Sequence, residues 1–259
     1  MKLKIILILF FVAGISFHVS SQPASRSFYN VKIYHFESQE QEDLIDGYLK
    51  TAFIPALHRN GIEHIGVFKP VGNDTLQDKR ICVLIPFRSV QQFADLPEQL
   101  AGDKRYLDDG KLYLEAAYSR PAYGRIESIL IKAFTGMPGL QTPVLKSEPS
   151  KRIYELRSYE GPTERLHERK VHMFNEGGEI SLFKKLNFNA VFYGSVISGS
   201  RMPNLMYMTS FEDMGSRDEH WKAFFSSPEW KELSSMDYYR NSVSKSDIIL
   251  MHPADYSEI

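Results

Sequence analysis

The chain has a single cysteine in 259 residues. Cys82 therefore has no partner within the chain, and no intramolecular disulfide staples the fold. Its setting, ICVLIPF, reads as a buried strand. A surplus of charge is missing as well: 31 Lys and Arg stand against 32 Asp and Glu. Basic residues form only short pairs such as Lys184–Lys185, so the basic patch that phosphate neutralisation needs is absent, and no nucleic-acid partner is expected. No G-x-x-x-x-G-K-[ST], G-x-G-x-x-G or G-x-S-x-G occurs, which removes the usual phosphate cradles and the serine nucleophile elbow. What remains is 43% hydrophobic, 24% charged and 13% aromatic, the composition of a folded globular chain of one large or two small domains.

The long apolar run lies at the start. In MKLKIILILFFVAGISFHVSS, Lys2 and Lys4 precede an apolar stretch from Ile5 to Phe17, and Ser20 and Ser21 end it. This is the layout of a secretory signal, with cleavage expected between Ser21 and Gln22. The run is too short for a comfortable bilayer span of roughly 20 residues; an uncleaved anchor is the alternative. No cysteine follows it to carry a lipid. Export to the periplasm or the extracellular medium is the expected localisation.

Residues 135–150, TGMPGLQTPVLKSEPS, break any periodic pattern and mark a linker. They divide residues 22–134, a first domain, from residues 151–259, a second. In the first, VKIYHFES (31–38) reads as a strand. An amphipathic helix over about Gln41–Arg59 follows, stopped at Asn60–Gly61. IEHIGVFKP and RICVLIPF form a hairpin, a helix starts near Ser89, and GRIESILIKAF (124–134) closes the unit. In the second, RIYELRSY is followed by a helix over roughly 162–176, a break at Gly177–Gly178, and EISLFKKL. FNAVFYGSVISG and NLMYMTSF form its hairpin, a helix spans about Met214–Phe225, and Ser227–Pro228 opens another. KSDIILMHP is the last strand. Both halves read β-α-β-β-α-β, the ferredoxin-like pattern. IYHFES (33–38) lies against IYELRS (153–158) without a gap, and Phe87 against Phe211, which points to a duplicated domain.

With YELRSY followed by a helix, a hairpin and HWKAFFSSPEWKEL, the C-terminal half resembles the NIPSNAP family, His220–Trp230 being the more specific part. The N-terminal half resembles a diverged second copy. The resemblance implies an α+β fold of the dimeric α+β barrel superfamily: two tandem ferredoxin-like units packed as a pseudo-dimer around a central cavity. The family itself has no firmly assigned reaction; some relatives in the superfamily are small monooxygenases or haem-associated enzymes.

On that architecture, one face of each sheet meets its own helices and the other lines the barrel. Tyr154 and Leu156, with Tyr34 and Phe36, are expected under the helices. Glu155, Arg157 and Tyr159 are expected to point into the barrel, with His35 and Glu37 facing them, because charges under an apolar helix layer need partners. The expected function is binding of a small molecule in that barrel cavity, with the enzymatic version using no cofactor. There Arg157 would hold an anionic oxygen and Glu155 or His35 would move a proton. The alternative is a non-catalytic structural or protein-interaction module in which the same residues only join the sheets. A homo-oligomer is compatible with either.

No metal centre is expected. His167 and His172 are five apart and diverge around a helix, whereas Glu168, His172 and Glu176 share a ridge that reads as solvated. His58, His64 and His220 read as structural. Trp221, Phe224, Phe225 and Trp230 read as helix-to-sheet core, with a ligand wall as the alternative. Nothing nominates a second acid opposite Glu155 for a glycosidase pair.

Overall fold

The structure, a computed structural model, describes residues 25–259. The signal segment expected over residues 1–21 lies outside the described residues.

The first half runs β1 (Phe28–Phe36), α1 (Gln39–Tyr48), α2 (Ile54–Arg59), β2 (Gly66–Pro70), β3 (Lys79–Phe87), α3 (Val90–Gly102), α4 (Lys104–Asp109), α5 (Lys111–Leu114) and β4 (Arg125–Ala133). A π turn, Leu49–Phe53, joins α1 to α2 without a break, so the long helix expected there forms as one rod. Ser38 opens it by accepting from the Gln41 amide at 3.2 Å. Gly61 ends it at φ 68°, the left-handed region that glycine enters freely. Helices α4 and α5 are not apparent in the sequence pattern. Asp103 caps α4 by accepting from the Tyr106 amide at 3.1 Å, and Tyr106 and Tyr113 are buried from these short segments.

The second half runs β5 (Ile153–Glu160), α6 (Glu164–Asn175), α7 (Glu179–Lys185), β6 (Asn189–Ser198), β7 (Asn204–Phe211), α8 (Met214–Ser226), α9 (Pro228–Ser235) and β8 (Lys245–Pro253). Gly178, at φ 93°, separates α6 from α7, and Ser227 caps α9 by accepting from the Trp230 amide at 3.2 Å.

All eight strands pair antiparallel in one closed barrel of order β1-β3-β2-β8-β5-β7-β6-β4. Within each half the spatial order is the same: β4-β1-β3-β2 and β8-β5-β7-β6. Two seams join the halves, β2 with β8 and β4 with β6, so the barrel closes within one chain. The linker is fastened to the second half. The Gln141 amide donates to the Val191 carbonyl at 3.0 Å, and Glu212 accepts from the amides of Lys146 and Ser147.

The interior is filled by side chains except toward one mouth. Val31, Ile33, Leu84, Ile131, Met206 and Met208 meet at its centre. Tyr29 packs on Phe192 with ring centroids 5.0 Å apart, and Phe68 on Tyr154 at 4.7 Å, so each aromatic pair bridges the halves. The residues after β8 run beside β2, and Ile259 packs into the interior. The helices cover the outside in two layers, α1–α5 over one half of the barrel and α6–α9 over the other.

Candidate functional site

Strand β5 presents Tyr154, Leu156 and Ser158 to the barrel and Ile153, Glu155, Arg157 and Tyr159 to the helices of its own half. This reverses the expected facing. Tyr154 and Leu156 are interior residues, and the Glu155–Arg157–Tyr159 row lies under α8. The first half keeps the expected facing, with Tyr34 and Phe36 beneath their helices. The gapless match of IYHFES to IYELRS thus pairs residues that face opposite ways, because strand facing has a period of two.

The cost of placing charge under a helix layer is met by partners. Glu155, fully buried, accepts from Arg157 Nε at 2.5 Å, Arg217 Nε at 2.7 Å and Trp221 Nε1 at 2.9 Å. Arg157 also donates from Nη1 to the Tyr159 hydroxyl at 2.9 Å, and that hydroxyl is 2.9 Å from the hydroxyl of Tyr207. Burial pushes the Glu155 carboxyl up, but the Arg217 hydrogen bond, the Arg157 charge and the Trp221 N–H outweigh it and hold the group below its ordinary range. Nearby, Lys170 Nζ donates to Glu179 at 2.9 Å, both side chains being buried. These charged groups are satisfied by one another, whereas the buried Tyr193 and Thr209 hydroxyls on the same side have no hydrogen-bond partner among the described residues, and Phe174, Phe183 and Phe224 pack around them.

His35 and Glu37 are not opposite this row. His35 stands at one mouth of the barrel, its Nδ1 2.6 Å from Asp78 and its Nε2 3.0 Å from Glu127, beside Arg125. The cavity there is about 70 Å³, well below the ~300 Å³ at which ligand sites usually begin. Glu37 is exposed beyond the end of β1.

Larger space lies beneath the helices of the first half. A cavity of about 590 Å³ sits between the sheet and α3–α5. Its walls are apolar, including Ile85, Phe87, Phe93, Leu96 and Leu100, and Leu107 and Leu114, at its mouth, are exposed. Its polar floor is Asn30, Lys32 and Ser128. Lys32 Nζ lies 5.2 Å from the ring centre of Tyr34 and 5.1 Å from that of Phe53. Burial pushes its ammonium down to about 8. The sequence does carry a signal for this residue: Lys32 shares its strand face with Tyr34 and Phe36, so a charge was due under an apolar layer.

The remaining candidates are structural. Among the described residues no group of three or more His, Cys, Asp or Glu is placed to hold a metal. His172 Nδ1 is 2.9 Å from the Tyr239 hydroxyl, which takes it out of the solvated ridge, while Glu168 stays exposed and pairs with Arg165. Trp221 and Phe224 are core, Trp230 is half-buried against Phe224, and Phe225 is exposed. Burial pushes the Cys82 thiol up to about 12, leaving it inert as a nucleophile.

An eight-stranded antiparallel barrel under two helical layers defines an α+β barrel protein. Solved structures share this fold over most of their length. A putative monooxygenase of Fusobacterium nucleatum superposes with a TM-score of 0.57 at 8% identity, covering 89% of this chain and 93% of its own. One from Lactobacillus acidophilus gives 0.55 at 12%, covering 88% and 94%. An anthrone oxidase-like protein gives 0.51 at 10%, covering 90% and 93%. At these identities the likeness is one of fold. Residues 154–258 match the NIPSNAP family model. No curated protein matches the chain in sequence.

Proposed function

We propose that this protein is exported and binds a small apolar molecule, and that its site is the cavity beneath the helices of the first half rather than the centre of the barrel. The observation that carries this reading is the contrast between the halves. The barrel mouth leaves only about 70 Å³ and the second half about 330 Å³ beside α7 and β6, with a mixed lining that includes Gln141, Lys184, Asn187 and Asn189, whereas the first layer leaves about 590 Å³ with apolar walls and a polar floor, well within the ~300–1,000 Å³ of ordinary ligand sites. In this reading the halves are tandem ferredoxin-like copies, of which the first is opened more widely as a receptor. Turnover of the bound molecule without a cofactor would use the same cavity.

The test is binding of Nile red, a neutral apolar dye. Its fluorescence is expected to rise with the wild-type protein and to stay low with Ala101→Trp, which places a large ring at the exposed cavity lining. Equal binding to both proteins sinks the assignment. The second reading, a structural or protein-interaction module, is favoured by the packed interior and the paired Glu155–Arg157 group. It predicts no dye uptake by either protein.

A further inference from the structure

We propose that the cavity of the first half takes a ligand with an apolar body and one carboxylate, which lies against Lys32. The inference rests on the reading of that cavity as the ligand site and adds the chemistry of the head group.

It comes from the ladder register. Phe28 on β1 faces Phe87 on β3, and Ile153 on β5 faces Phe211 on β7. Counting from these matched rungs, Asn30 occupies the position of Glu155, Lys32 that of Arg157, and Tyr34 that of Tyr159. All six point toward their own helices. In the second half the cation has its counter-charge built in: Arg157 Nε donates to Glu155 at 2.5 Å, and the guanidinium carbon lies 3.7 Å from the centre of the Trp221 ring. In the first half the cation and the aromatic faces remain, Lys32 over Tyr34 and Phe53, but the acid is replaced by a neutral amide. Asn30 turns its Nδ2 to Ser128 Oγ at 2.9 Å and to the Ile129 carbonyl at 3.2 Å, and so offers Lys32 no charge.

Among the described residues Lys32 has no ion-pair partner. The space that its missing partner would fill is the cavity itself. A half-buried ammonium facing aromatic rings without an anion is penalised, and burial already pushes this one down to about 8. A carboxylate entering the cavity would replace the absent acid, with its chain among Ile85, Phe93, Leu96 and Leu100. An alcohol of the same length gains the apolar contacts but not the ion pair.

The experiment displaces Nile red with decanoate and with 1-decanol, using wild type, Lys32→Met and Lys32→Arg. Decanoate is expected to bind wild type at least about tenfold more tightly than 1-decanol. That preference should vanish in Lys32→Met and persist in Lys32→Arg. Thermal unfolding supplies a readout that needs no dye: decanoate should raise the Tm of wild type more than that of Lys32→Met, whereas 1-decanol should shift both alike. Equal affinities of wild type for acid and alcohol, or a preference that survives in Lys32→Met, overturn the carboxylate assignment while the cavity reading stands. Failure of Nile red to bind wild type, with no effect of decanoate on Tm, overturns both.

Discussion

The Arg157 guanidinium lies 3.7 Å from the centre of the Trp221 ring, and both side chains donate to the same Glu155 carboxylate. This relationship fixes strand β5 to helix α8. A cation, an acid and an indole form one buried unit in which every strong donor has an acceptor, which is how charge is tolerated beneath an apolar layer.

Breaking that unit from one side should be expensive. Arg157→Ala leaves Glu155 buried with fewer partners, and a loss of ~3–5 kcal/mol in guanidinium unfolding is expected. The double replacement Glu155→Leu with Arg157→Met should recover part of that loss, because it removes both charges. A change under ~1 kcal/mol in Arg157→Ala would mean that the pair is not buried as described.

The same group sets an acid limit. The folded-state pKa of Glu155 is depressed below its ordinary value near 4.5. Its contribution to stability is therefore present above that ordinary value and is lost as pH falls through the folded value. Glu155→Gln should flatten the acid limb of a stability–pH curve relative to wild type. Parallel acid limbs for the two proteins would show that other carboxylates control it.

Lys32 has the opposite consequence at alkaline pH. Its folded-state pKa is pushed down to about 8 from 10.5, so above about 8 the unfolded chain holds a proton that the folded chain has released. Stability of the ligand-free protein should rise with pH across that interval. Discounted for its partial exposure, the gain is about 1–2 kcal/mol. The neighbouring Tyr34, Tyr48 and Tyr106 are all pushed above their ordinary 10.0, and Cys82 from 9.0 to about 12, so these groups lower stability only as pH reaches about 9 and beyond, and the window from about 8 to 9 belongs to the lysine. Lys32→Met should be more stable than wild type at pH 7 and lack this rise. A wild-type curve that is flat or falling there contradicts the assignment.

The maturation expected at the N terminus is tested on exported material. Mass analysis should show a chain that begins at Gln22, open or cyclised to pyroglutamate. An intact Met1 overturns it.

Much of the architecture was legible before any coordinates. The stop at Asn60–Gly61, the break at Gly177–Gly178 and the Ser227–Pro228 start all stand where local backbone chemistry places them. The element order of both halves follows from period and punctuation. These signals are local, carried by a few neighbouring residues. The short helices α4 and α5 escaped because four to six residues cannot display a helical period.

Facing was a different matter. Strand β5 is buried over Ile153–Ser158 on both sides, so alternation marks two faces without saying which one meets helices. The choice is made by partners distant in sequence: Arg217 and Trp221, more than 60 residues from Glu155, make the helix side the one where its charge is neutralised. The unpaired Lys32 was equally invisible, since a missing counter-ion is a property of three-dimensional surroundings. The sequence by itself determined the elements, their order and the resemblance of the C-terminal half to the NIPSNAP family. The tertiary structure decided where the larger cavity opens and which charges are paired, because space and charge balance arise only when segments far apart in the chain are packed together.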